Sequence, residues 1–151
     1  MEFFGQLGLA LALGLGAVGS ALGIGAAGSA AAGAWAKEAK AGKPLNFSYI
    51  ILVGMPLSQT IYGFILALVG LAPKVYGATG AANAGTLLSI GIAGGLAEMF
   101  SAWMQGLIGA SACRALSEGK GKGLAFLIIA MGIAETVGLF GFVFLLLLLP
   151  S

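Results

Sequence analysis

The chain has 151 residues, of which 60% are hydrophobic and 8% charged, with 27 glycines, a net charge of +2 and a mean hydropathy of +1.07. Soluble domains carry about 25% charged residues, so this chain lacks the means to cover a water-facing surface and belongs in a bilayer. A single cysteine and no histidine exclude a disulfide framework and a cysteine or histidine metal cluster, leaving Cys113 as a small packing residue.

About 20 apolar residues cross a hydrocarbon core of about 30 Å. Four segments meet that requirement, near 3–36, 45–72, 82–115 and 123–149, provided that Glu98 and Glu135 are tolerated inside the last two. The expected fold class is therefore an all-α membrane protein of four transmembrane helices. The first segment is far longer than a signal-peptide core and lacks a basic leader, so it is expected to be retained. Lys37, Lys40 and Lys43 fall between the first two segments, and Arg114, Lys120 and Lys122 at the turn between the last two. The positive-inside rule then places loops 37–44 and 116–122 in the cytoplasm and both termini outside.

The first helix contains two G-x-G-x-x-G matches, Gly14-Gly16-Gly19 and Gly23-Gly25-Gly28. A dinucleotide site would need a preceding strand and a polar crevice. Glu38 lies at a passable distance for a ribose contact, but no β-branched run precedes Gly14 and no charge occurs from Phe3 to Ala36. On a helix, a shift of nine residues is about 900°, so the second glycine cluster is expected to face opposite to the first. Small residues supply close contacts where lipid gives helices no hydrophobic reason to associate. Two such faces suit either a closed ring or a tightly packed bundle interior. The third helix repeats the habit at Gly91, Gly94, Gly95, Gly106 and Gly109.

Sliding the chain against itself by 78 positions pairs Ile50 with Ile128, Ile51 with Ile129, Gly54 with Gly132, Gly63 with Gly141 and Phe64 with Phe142. Each copy follows a glycine-rich helix and a short basic loop. The chain reads as one helical hairpin written twice in parallel, residues 1–74 and 75–151. Chance alignment of two apolar helices is the alternative.

Glu135 lies 12 residues past Gly123, about 18 Å into the fourth helix. A carboxylate at that depth must be protonated, paired or coordinated. Its partner at the 78-residue offset is Leu57, which leaves one such acid per four helices. In the second helix Met55, Ser58, Gln59 and Tyr62 share one face. Pro56 removes a backbone donor among them and distorts the helix there. Ser58 and Gln59, about 21 Å beyond Pro44, and Gln105 of the third helix reach the depth of Glu135. Each alone could merely join helices by hydrogen bonds. Converging on a carboxylate, they suit a hard cation that exchanges its water for oxygen ligands, and sodium is the natural candidate. A proton would need Glu135 alone.

These residues carry a resemblance. With P-L-S-Q-T-I-Y-G at Pro56–Gly63, Q-G at Gln105–Gly106 and E-T at Glu135–Thr136, the whole chain resembles the duplicated four-helix rotor subunit of V-type ATPases. Members of that family are also called proteolipids, and the likeness is strongest to its sodium-translocating bacterial branch. The resemblance implies a closed ring of identical copies turning against a stator membrane subunit, whose arginine competes for the carboxylate of Glu135. It also implies sodium ligands on the side chains of Ser58, Gln59, Gln105 and Glu135 and on the main-chain carbonyl of Met55, with a hydrogen bond from Tyr62 holding the carboxylate. Ser58 and Met55 stand where the sodium type has threonine and leucine; the hydroxyl is kept, and a carbonyl is indifferent to its own side chain. Proton-type relatives usually carry apolar residues in place of the Ser58 and Gln59 pair.

The chain is thus expected to be a non-catalytic component that carries sodium by ring rotation coupled to ATP hydrolysis on other subunits. Central-stalk subunits would dock at the basic loops, lipid would surround the ring, and no nucleic acid is expected as a partner. A proton-carrying rotor and a small four-helix ion-coupled exporter are the alternatives. Such exporters tend to carry an acid in the first helix, where this chain has none between Glu2 and Lys37. Glu98 is expected near the outer interface or facing the ring lumen, solvated or protonated, rather than in a second ion site. Trp35, Tyr49 and Tyr76 read as interfacial anchors, and Trp103 as packing.

Overall fold

A computed structural model describes residues 2–151. Four helices are long and apolar enough to cross a membrane: Glu2–Lys40, Ser48–Val75, Ala84–Glu118 and Leu124–Leu147. No strand occurs among the described residues. The first and third helices, of 39 and 35 residues, outrun the expected boundaries because their charged last turns continue the helix past the apolar stretch. At about 1.5 Å per residue they exceed a hydrocarbon thickness of about 30 Å by roughly 28 and 22 Å. The turn before the fourth helix closes in five residues, 119–123, because Lys120, Gly121 and Gly123 adopt φ of 53°, 82° and 90°, a left-handed backbone that glycine enters without strain.

The first helix packs along the third, parallel and in register, through backbone rather than side chains. A Cβ on Gly8 would lie 2.5 Å from the Leu87 carbonyl oxygen and 2.7 Å from Leu88 Cα. Further along, Gly19 meets Met99 and Gly23 meets Ala102 and Gly106. The buried face of the first helix runs Gly5, Gly8, Ala12, Gly16, Gly19, Gly23, Ala27 and Ala31, a spacing of three or four. This corrects the expectation that each glycine cluster owns one face. A cluster spans more than a full turn, so Gly16, Gly19 and Gly23 face inward together, whereas Gly14 and Gly25 have nothing within 4 Å. The opposition over nine residues holds only pair by pair, Gly14 outward against Gly23 inward and Gly16 inward against Gly25 outward.

The second and fourth helices lie on the outside of this pair. Gly63 brings the second helix to within 2.6 Å of the Ala12 carbonyl, and Gly141 brings the fourth to within 2.7 Å of Ala97 Cβ, both measured from the Cβ each lacks. Their outer faces, with Ile61, Phe64 and Val69 on one and Phe126, Ile133, Val137 and Phe140 on the other, are exposed and apolar. Cys113 packs among Ala31, Leu52, Leu116 and Met131.

Glu38, the acid at ribose-like spacing, clamps the first loop. Its carboxylate accepts hydrogen bonds from the Asn46 backbone N–H at 2.8 Å and the Tyr49 hydroxyl at 2.6 Å, and Trp35 Nε1 donates to the Asn46 carbonyl at 2.9 Å. Tyr49, expected as an interfacial anchor, is fully buried in the core beside the loop, whereas Tyr76 is exposed.

Close approach predicts a sign for single methyl groups. Gly8→Ala should lower the thermal unfolding midpoint, because overpacking against backbone costs about 1–3 kcal/mol and outweighs the gain of about 1 kcal/mol in helix propensity. Gly28→Ala, whose Cβ would meet only Val53 at 3.7 Å, should not. A Gly8→Ala protein as stable as the native one contradicts the backbone contact.

Candidate ion-binding site

The second helix changes its winding where its polar residues gather. It is α-helical over Ser48–Gly54, tightens to a 3-10 turn over Met55–Leu57, and resumes as α-helix over Ser58–Ile65. Pro56 has no N–H to offer, and the chain responds by closing a three-residue turn in which the Ser58 N–H bonds to the Met55 carbonyl. The Ser58 hydroxyl lies 3.1 Å from that carbonyl and 3.1 Å from Gln59 Oε1. Further on, Leu66–Leu71 loosens into a π-helical stretch.

From this turn a chain of hydrogen bonds crosses the protein. Gln59 Nε2 donates to Gln105 Oε1 and to Ser101 Oγ, both at 3.1 Å. Gln105 Nε2 donates to the Met131 carbonyl and to Glu135 Oε2, again at 3.1 Å. The Tyr62 hydroxyl donates to the other carboxylate oxygen, Oε1, at 3.1 Å. The structure therefore brings Met55, Ser58, Gln59, Tyr62, Gln105 and Glu135 into one connected group, as their spacing in the sequence leads one to expect. Gln59 and Gln105 are fully buried, while Glu135 and Tyr62 are half-buried at the outer edge of the bundle.

The electrostatics of the group are those of dipoles, not of ion pairs. No lysine or arginine lies between Leu45 and Pro73, between Val75 and Cys113, or beyond Lys122. Both oxygens of Glu135 instead accept from neutral donors, and the oxygens of Met55, Ser58 and Gln59 stand behind them. An amide carries oxygen and nitrogen on one carbon, so a half-turn of Gln59 or Gln105 exchanges donor for acceptor at either position. The group can thus present hydrogens to a bare carboxylate or oxygens to a cation beside it.

Sequence reasoning misses Ser101. Its hydroxyl donates to the Ala134 carbonyl at 2.9 Å while accepting from Gln59, which ties three helices at one atom. The signal is present, since Ser101 stands four residues before Gln105 on the same face of the third helix. Glu98, by contrast, is misplaced by the sequence reading. It lies at neither the outer interface nor the lumen side but inside the protein, 0% exposed, with no hydrogen-bond partner for either carboxylate oxygen. The antiparallel register of the last two helices, with Gln105 on Met131 and Ser101 on Ala134, carries Glu98 to Gly138 inside the protein.

An all-helical membrane bundle with a half-buried carboxylate held by neutral donors at mid-depth defines a class of ion-carrying membrane proteins. Two stretches of this chain, residues 7–69 and 88–148, each match the ATP synthase C-subunit family. Together they take in most of the chain, which belongs to that family, and the double match accords with a hairpin present twice. A comparison with curated proteins gives no significant match. As a member of this family the chain is a multi-pass, non-catalytic membrane protein, one of the identical copies that form an ion-carrying rotor ring working against a stator.

Ser101→Ala should leave Gln59 with an unmatched buried N–H and destabilise the folded protein by about 1–3 kcal/mol. Thermal unfolding in detergent checks this, and a variant as stable as the native chain would remove Ser101 from the network.

Proposed function

We propose that the chain is the sodium-carrying rotor subunit of a V-type ATPase, built as two hairpins, 1–74 and 75–151, of which the second carries the ion-binding Glu135. The observation that carries this reading is the set of oxygens around Glu135. A proton carrier needs only the carboxyl group. Here Gln105, Gln59, Ser58 and the Met55 carbonyl stand in one hydrogen-bonded line with Glu135. Together they offer the several oxygens by which a hard cation replaces its lost water. Tyr62, donating to Oε1, fixes the carboxylate from the lipid side.

Charge explains why such a site suits transport. A bare carboxylate facing lipid costs several kcal/mol, about 2.5–3.5 on insertion scales, whereas a sodium carboxylate has no net charge. The loaded copy therefore travels through the lipid-facing arc of the ring. At the stator an arginine draws the carboxylate and the sodium leaves. The loops 37–44 and 116–122, with their lysines, lie on the cytoplasmic side and meet the central stalk, and ATP is hydrolysed on other subunits.

Gln59→Ala should still assemble into rings but bind sodium about tenfold or more weakly, the equivalent of about 1.4 kcal/mol for one lost ligand. Tyr62→Phe should weaken it several-fold by freeing the carboxylate. Protection of Glu135 from dicyclohexylcarbodiimide by added sodium, at a fixed alkaline pH, measures both. Unchanged affinity in Gln59→Ala removes that residue from the site, and a native ring that sodium fails to protect carries protons instead.

A further inference from the structure

Glu98 is the one buried carboxyl group that the ion site does not use, and its surroundings are drawn from all four helices. The Cβ that Gly138 lacks would lie 2.7 Å from Glu98 Oε2 and 2.8 Å from Ser101 Oγ, so the fourth helix leaves room for the carboxyl only because residue 138 has no side chain. On the first helix, the Cβ that Gly16 lacks would lie 3.4 Å from Glu98 Cβ and 3.2 Å from the Gln59 carbonyl oxygen of the second. Within this enclosure Glu98 is 0% exposed, and neither of its oxygens has a partner.

Three species could satisfy such a group. An ion pair is excluded by sequence, since no basic residue lies at this depth on any helix. A metal cation needs several oxygens besides the carboxylate. Ser101 Oγ, which borders the same space at Gly138, accepts from Gln59 and keeps one lone pair, too little to replace a hydration shell. A proton needs no further ligand. The ionisable groups facing Glu98 are Glu135, one turn before Gly138 on the fourth helix, and Tyr62 of the second, which is bonded to Glu135. The first helix offers none between Glu2 and Lys37. An ionised Glu135 makes a second negative charge harder to hold, and the neutral Tyr62 gives its hydrogen to Glu135, leaving none for Glu98.

We infer that Glu98 is a second, proton-filled binding site in each copy, so that a loaded copy holds one metal cation at Glu135 and one resident proton at Glu98. The inference rests on the cation reading of Glu135 given above. The proton stays through rotation because no hydrogen-bonded path leads away from either Glu98 oxygen. It holds the copy neutral: were Glu98 ionised beside Glu135, one sodium would leave a net negative charge in lipid.

Purified rings containing carboxyl-labelled glutamate, in saturating sodium at neutral pH, test this by infrared spectroscopy and by counting bound radioactive sodium. The native ring should show a protonated-glutamate stretching band and one sodium per copy. The band should vanish in Glu98→Gln and persist in Glu135→Gln. Should Glu98→Gln fail to assemble, Gly138→Ala, whose methyl group meets Oε2, should shift the band. A native ring with no such band, a band unaltered by Glu98→Gln, or two sodium ions per native copy overturns the inference. Failure of the cation reading looks different: the native ring would then bind no sodium, while the band lost in Glu98→Gln stayed in place.

Discussion

A carboxylate inside hydrocarbon has to be met by something other than water, and most of the polar side chains at mid-depth in this protein answer to that constraint. Glu135 has no basic neighbour. Tyr62 and Gln105 aim hydrogens at its two oxygens, Gln59 donates to the amide oxygen of Gln105, and Ser58 and Ser101 in turn satisfy Gln59. Every amide hydrogen of the two glutamines is used, and such closed networks gain strength from low dielectric surroundings where a partial one would be costly. The same members carry oxygens that can turn toward a cation, the property on which the sodium proposal rests.

Such short side chains can close a network across three helices only if the helix axes approach closely. That is the work of the glycines. Gly8, Gly19 and Gly23 let the first helix touch the backbone of the third, and Gly63, Gly138 and Gly141 draw in the outer helices. In lipid this small-residue packing replaces the hydrophobic effect as the means of association. Pro56 adds a local adjustment, since its 3-10 turn brings the Met55 carbonyl and the Ser58 hydroxyl together at the edge of the network. The apolar outer faces of the second and fourth helices are left for lipid and for neighbouring copies.

The four helices and the polar layer are legible in the sequence because apolar runs of membrane length and isolated polar residues within them are unambiguous signals. Helical spacing is enough to gather Met55, Ser58, Gln59 and Tyr62 on one face, and counting residues from the loops places Gln105 and Glu135 at their level. What fails is rotation. Depth can be counted along a helix, but facing depends on the partner, and so the sequence alone puts Glu98 at the outer interface or the lumen although Gly16 and Gly138 enclose it inside the protein. The glycine clusters look like blocks when their members divide between two faces. Ser101 escapes notice because a serine among small residues carries no distinctive signal until its neighbours are known.

The central claim is that Glu135 is neutralised by a metal ion ligated by the oxygens beside it. A density map of the assembled ring at the depth of Glu135, recorded with saturating sodium and again without it, tests this most directly. The account predicts an ion between the carboxylate and the oxygens of Gln105, Gln59, Ser58 and Met55 in the first map and none in the second. Identical maps, with Glu135 bonded only to Tyr62 and Gln105 in saturating sodium, would contradict it.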